Sequence, residues 1–144
     1  MSLQRAGLAL MSLALAATVL MFTAAAPPAG AEDKPYQVKD GKVDKAVYNG
    51  WRRYTESCLR CHGPDGAGSS YAPDLIDSLK NMSEEQFDEV VVNGRRNVNT
   101  SNTNVMPPFG EVEDVMLYIA DIYAYLKARS DGALGRGRPE RFDR

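Results

Sequence analysis

The chain has 144 residues, 17 basic against 19 acidic, and a formal charge of −2. A chain of this size makes one small domain, and its mild acidity excludes a nucleic-acid-binding role, which needs a basic face. One histidine and two cysteines argue against a zinc site, which usually takes four ligands, and exclude any iron site held by two histidines.

Residues 1–31 read as a cleaved signal peptide. Arg5 supplies the positive charge, an apolar run from Ala6 to Phe22 follows, and Ala29-Gly30-Ala31 is an Ala-x-Ala cleavage signal before Glu32. The run is short for a spanning helix, which needs about 20 apolar residues, so no membrane span is expected after cleavage. Export to a bacterial periplasm follows from this reading. Cleavage removes one charged residue, Arg5, and leaves the mature chain one unit more negative than the whole. Residues 32–42 then form an N-terminal extension, 43–129 the domain and 130–144 a tail.

Val43 to Cys61 has helical periodicity. Val43, Ala46, Val47, Gly50 and Tyr54 recur at steps of three and four, with Asp40-Gly41 or its neighbours opening the helix. Lys45, Arg52, Arg53 and Glu56 fall mostly off that stripe, on a solvated face. Gly50 costs about 1 kcal/mol relative to Ala inside a helix, so a second helix is expected to cross closely there. Trp51 covers the core without a further assignment.

At the end of that helix stands Cys58-Leu59-Arg60-Cys61-His62. Two thiols three positions apart share one side of a helical turn, and each can reach one vinyl group of the same porphyrin. His62, four positions after Cys58, comes round to nearly the same side and can donate a ring nitrogen to the iron. Gly63-Pro64 then turns the chain away. The spacing is that of covalent haem attachment. A redox dithiol or a structural disulfide is the alternative, but the βαβ pattern of a thioredoxin-like fold is missing.

Ser83-Glu84-Glu85-Gln86 is a capping-box pattern. It predicts a short helix to about Asn93, with Phe87, Val90 and Val91 inward and Gly94 as its stop. Arg95 and Arg96 follow, either solvated or orienting a docked partner. Asn97, Asn99, Asn102 and Asn104 lie in the next loop and could satisfy its backbone or a haem propionate.

Of the methionines beyond the leader, Met82 precedes the capping box and Met116 falls within the third helix. Met106 lies in the loop Asn102 to Gly110, where Pro107 and Pro108 stiffen the backbone behind it. Its thioether is a soft neutral donor, and it is the expected second axial ligand, with Met82 next. The alternative is that Met106 fills a core gap and leaves the iron five-coordinate or bound to Lys. His/Met ligation raises the reduction potential and leaves no open seat for oxygen or substrate, which suits a carrier rather than a catalyst.

The third helix is predicted from Glu111 to Arg129, with Val115, Tyr118, Ile119, Ile122, Tyr125 and Leu126 as its stripe. Acidic residues crowd its first turn and basic ones its last, as the helix dipole favours. No alternating strand pattern, repeat or Asn-Gly hairpin competes. The fold expected is all-α: three main helices with long loops around one covalently attached haem, which adds apolar bulk that so small a core lacks. Ser130 to Arg144, rich in Gly and Arg, reads as outside the core. It is either a solvated tail or a clamp lying along the fold or on a partner through Arg136 and Arg138.

Cys58-x-x-Cys61-His62, Ala72-Pro73-Asp74-Leu75, Met106-Pro107-Pro108-Phe109 and Asp121 to Lys127 occur in an order that resembles the class I cytochromes c. The likeness covers nearly all of Val43 to Arg129. It implies that the first and last helices pair through Gly50 and Tyr54 on one side and Ile122 and Tyr125 on the other. It also implies that the Pro73 carbonyl holds the ligating imidazole, which would fix the ring and raise its basicity. Ala72 stands where the family often has Gly.

The stretch Tyr125 to Glu140 is similar to cytochromes that serve quinoprotein alcohol dehydrogenases, in particular the lanthanide-dependent methanol dehydrogenase of methylotrophs. That likeness implies a monomeric carrier taking single electrons from a pyrroloquinoline-quinone (PQQ) methanol or alcohol dehydrogenase. It would pass them to a second cytochrome or a terminal oxidase of the respiratory chain. A generic shuttle or a cytochrome subunit of another redox complex is the alternative within this class. A haem enzyme or gas sensor with an open iron site is the alternative outside it.

Overall fold

The computed structural model describes residues 34–98 and 103–143. The expected signal peptide lies outside the described residues, as do Asn99 and Asn102. Among the described residues six α-helices carry the fold: α1 (Lys45–Ser57), α2 (Leu59–His62), α3 (Leu75–Ser78), α4 (Glu84–Asn93), α5 (Glu113–Leu117) and α6 (Ile119–Ser130). Five short strands accompany them: β1 (Val38–Lys39), β2 (Lys42–Val43), β3 (Arg95–Val98), β4 (Thr103–Met106) and β5 (Glu140–Arg141).

Helix α1 begins one residue after Asp44, whose side chain accepts the Val47 N–H at 2.9 Å. That is an ordinary N-cap. Of the two openings expected, Asp40-Gly41 or its neighbours, the neighbour Asp44 serves. Asp40 and Gly41 have positive φ, 50° and 73°, and they turn β1 into β2, pairing Val38 with Val43 and Lys39 with Lys42. Asp-Gly is a hairpin signal for this reason.

α1 crosses α6 at Gly50. A Cβ built there would lie 1.8 Å from the Asp121 carbonyl oxygen and 3.0 Å from Tyr125 Cβ, so only glycine lets the two helices approach this closely. Asn49 Nδ2 donates to Asp121 Oδ2 at 2.7 Å beside the crossing, and the Tyr54 and Tyr125 rings lie 5.5 Å apart across it. Val47, Tyr54, Ile122, Tyr125 and Leu126 are buried together. The close pairing of first and last helices through Gly50, Tyr54, Ile122 and Tyr125 is thus present.

The capping box of α4 forms as expected. Ser83 Oγ accepts the Gln86 N–H and Gln86 Oε1 accepts the Ser83 N–H. The third helix does not run unbroken. Tyr118 leaves helical geometry (φ −125°, ψ 22°) between α5 and α6, with the Arg53 guanidinium 4.5 Å from its ring centroid. Val115 and Ile122 on either side are both buried in one core, so the apolar period continues through the break and conceals it.

Two further expectations are corrected. Met106 does not lie in a wholly irregular loop: it ends β4, antiparallel to β3, opposite Arg95. The tail is not outside the core. Leu134 is buried, and β5 lies parallel to β2, pairing Lys42 with Glu140 and Val43 with Arg141. Tyr36 of the N-terminal extension is buried too, its hydroxyl donating to Asp131 Oδ2 at 2.8 Å.

Candidate functional site

α1 gives way to α2 at Cys58, and α2 ends at Gly63, whose φ of 72° is left-handed. A side chain there would put its Cβ 2.3 Å from the Gly68 carbonyl oxygen. The chain therefore doubles back directly behind His62, and the Gly68 N–H donates to the His62 carbonyl at 2.8 Å. His62 is buried, 7% exposed. Its Nδ1 lies 3.1 Å from the Pro73 carbonyl oxygen, the contact that the family resemblance implied, and Ala72 does not prevent it. A carbonyl there accepts a hydrogen bond from the Nδ1–H. Nε2 is the nitrogen left for an iron.

The loop behind His62 is held from α1. Tyr54 Oη donates to the Gly63 carbonyl at 2.5 Å and accepts the Gly66 N–H at 3.0 Å. Burial pushes its ionisation far above the ordinary phenol range, so it stays a donor. Ser69 adds a bond from its hydroxyl to the Cys61 carbonyl at 2.5 Å. Sequence reasoning placed Tyr54 in the core stripe but gave its hydroxyl no task. The available signal was that a tyrosine in a buried stripe needs a partner for its polar end. Tyr54→Phe is expected to lower stability by about 1–3 kcal/mol, because it strands a carbonyl and an N–H in the interior. A denaturant midpoint equal to that of the unaltered protein would show that the hydroxyl carries no such bond.

Cys58, Cys61, His62, Met82 and Met106 all line one cavity of about 470 Å³, within the roughly 300–1,000 Å³ range of cofactor sites. The rest of its wall is largely apolar, including Leu75, Leu79, Val90, Val91, Phe109, Val115, Ile122 and Leu126. Met116 is not part of it. Met106 is carried in on a locked segment. Gly94 (φ 73°) lets α4 stop against it, since a Cβ there would sit 2.5 Å from the Met106 carbonyl oxygen. Beyond the two prolines, the Phe109 and Gly110 N–H groups donate to Val91 and Val92 carbonyls at 2.9 and 3.2 Å. Arg95 and Asn104 also border the cavity.

This donor set fits haem c: two thiols three apart, a buried imidazole and a thioether around an apolar hollow. It fits a redox dithiol poorly. Burial, and secondarily Cys61, push the unattached Cys58 thiol up to about 11, which suppresses the thiolate that disulfide exchange needs.

Residues 45–126 match the family model described as cytochrome c oxidase, cbb3-type, subunit III. Cytochrome c-553I of Paracoccus denitrificans is 50% identical over 111 residues, 76% of this chain and 49% of that protein. Cytochrome c-555 of Methylococcus capsulatus is 45% identical over 100 residues, 69% of this chain and 75% of that protein. The crystal structure of the c-type cytochrome XoxG from Methylobacterium extorquens AM1 superposes with a TM-score of 0.68 at 47% identity, covering 76% of this chain and 67% of that one. The match thus spans about half the length of cytochrome c-553I. With the Cys58–His62 motif opening onto an apolar cavity and relatives of this kind, the chain belongs to the class I cytochrome c family, as an electron-transfer protein carrying one covalently bound haem c.

Proposed function

We propose that this cytochrome works in the periplasm, taking one electron at a time from a quinoprotein (PQQ) methanol or alcohol dehydrogenase and passing it toward the respiratory chain. The observation that carries the carrier reading is the convergence of Cys58, Cys61, His62 and Met106 on one apolar cavity. Haem supplies a one-electron couple there. The chain's own residues do the rest: Cys58 and Cys61 hold the porphyrin edge, and Pro73 fixes the His62 ring. Met106 would offer its thioether to the iron from its locked strand end, and the apolar wall would exclude water. Arg95, which borders the cavity, would supply a cation for an acidic propionate.

The choice of donor is supported by the resemblance of the Tyr125–Glu140 stretch to cytochromes serving quinoprotein dehydrogenases and by the likeness to XoxG. The periplasmic assignment is supported by the leader-like sequence of residues 1–31. No helix of the described residues is long and apolar enough to cross a membrane. The protein acts as a monomer, docking weakly enough to be released after each transfer.

Stopped-flow mixing with purified quinoprotein dehydrogenases tests the donor. Rapid reduction of the cytochrome by the substrate-reduced methanol enzyme is expected. Slow reduction by it, with fast reduction by another donor, would transfer the assignment to that donor. The oxidase-subunit family match favours a second reading, a haem subunit of a fixed redox complex. Stoichiometric co-purification with such a complex would support that reading over a free shuttle.

A further inference from the structure

Beyond α6 the chain does not trail away. The Ala133 and Leu134 N–H groups return to the Ala128 carbonyl at 3.0 and 3.1 Å. Further on, Arg138 Nη2 donates to Tyr48 Oη at 2.6 Å, and its guanidinium lies 5.5 Å from the Trp51 ring centroid. At the end, the Phe142 N–H donates to the Val43 carbonyl at 3.0 Å, and Asp143 Oδ2 accepts the Lys45 N–H at 2.9 Å. This strap leaves the C-terminal end of α6 and finishes at the N-terminal start of α1.

Between its anchored ends the strap meets Asp65, three residues after His62. Asp65 Oδ1 accepts the Gly137 N–H at 2.9 Å, and Oδ2 pairs with Arg136 Nε at 3.2 Å. Asp65 holds a left-handed backbone (φ 60°, ψ 17°), an uncommon state for a residue with a side chain. Its side chain is 12% exposed, against 72% for Arg136. The negative charge thus sits mostly inside the protein and its positive partner mostly in water. After burial, the Asp65 charge is among the causes that raise the ionisation of both Tyr54 and Tyr125. Tyr54 is the residue that ties the loop behind His62 to α1.

We propose that residues 134–143 form a strap that latches onto Asp65, positions the loop behind His62 and sets the field on that side of the haem, so that Asp65 and Arg136 tune the reduction potential in opposite senses. The proposal rests on His62 being the iron ligand. A carboxylate near the iron stabilises the more positive ferric form and lowers the potential, and a guanidinium beside it offsets that effect. Because Arg136 is exposed and screened by solvent, its influence is the smaller and fades with salt. Asp65 and Arg136 are positioning residues. The Gly137 backbone bond can persist in either conservative variant, so the two differ from the native protein chiefly in charge.

Spectroelectrochemical titration of the full haem-loaded protein tests this, with Asp65→Asn and Arg136→Gln compared at low and high ionic strength. At low salt Asp65→Asn should raise the midpoint potential and Arg136→Gln should lower it by less. High salt should abolish the second shift before the first. An unchanged potential in either variant at low salt, or shifts of one sign in both, would overturn the proposal, since mere loosening of a loop has no reason to reverse sign with the charge removed. The reading of His62 fails separately: it falls if His62→Ala leaves the absorption spectrum of the attached haem unaltered.

Discussion

Met106→Ala will lower the midpoint potential by something of the order of 0.1 V, a fraction of the roughly 0.8 V that axial ligands command, and the reduced variant will bind carbon monoxide where the native protein does not. The expectation follows from how the side chain is delivered. Its segment is fixed by the β3–β4 pairing, by the close stop at Gly94 and by the Phe109 and Gly110 backbone bonds to α4. None of these depends on the thioether, so the scaffold persists when sulfur is removed and the axial position alone is opened. Met106 is only partly buried, so the stability cost lies toward the low end of the about 2–5 kcal/mol seen for truncating a core methionine. Met82 lines the same cavity, and the corresponding Met82→Ala variant should leave the potential near its native value. A Met106→Ala protein with native spectrum and potential would remove Met106 from the iron, and a large fall in Met82→Ala instead would pass the role to Met82.

The second large effect is structural. Gly50→Ala should destabilise the protein by at least about 2 kcal/mol. Alanine is the better helix former by about 1 kcal/mol, so an exposed glycine replaced in this way would gain stability. Here the added methyl meets the Asp121 backbone carbonyl at 1.8 Å, an atom that cannot rotate aside. The helices must separate, and overpacking of this kind costs about 1–3 kcal/mol or more. The Tyr54–Tyr125 contact and the Asn49–Asp121 bond lie along the same crossing and loosen with it. The denaturant midpoint of the haem-loaded variant checks this. A midpoint equal to or above that of the native protein would mean that α1 and α6 do not cross as described.

Much of this arrangement was legible in the sequence for identifiable reasons. Gly50 announced a close crossing because glycine is costly in a helix without one. The Ser83–Gln86 box marked a helix start by two reciprocal bonds that form within four residues. The Cys58–His62 spacing marked the haem site because attachment chemistry constrains it locally. What escaped notice depends on longer-range pairing. The break at Tyr118 was hidden because Val115 and Ile122 serve one core on both sides of it. β3 and β4 lack the alternation of a half-buried hairpin: Arg95 and Arg96 are exposed, and so is Val105. Their pairing follows instead from the stop at Gly94 and the return of Phe109 to α4. The Asp40-Gly41 turn did carry a local signal, since Gly adopts positive φ freely and Asp tolerates it, but the strands it joins are two residues each. Composition left the tail open between a solvated segment and a clamp along the fold, because the anchors that decide for the clamp reach back 71 to 99 positions along the chain. His62 and Pro73 are 11 residues apart, and only the family resemblance joined them beforehand.

On the proposed reading, Cys58 and Cys61 hold a single haem through two thioether bonds. Intact-mass measurement of the protein matured in a host that attaches haem, followed by sequencing of the haem-bearing peptide, tests it most directly. The expected result is one polypeptide plus one haem, with both thiols consumed and the group on the peptide containing Cys58 and Cys61. The mass of bare polypeptide, or a haem borne elsewhere, would contradict it.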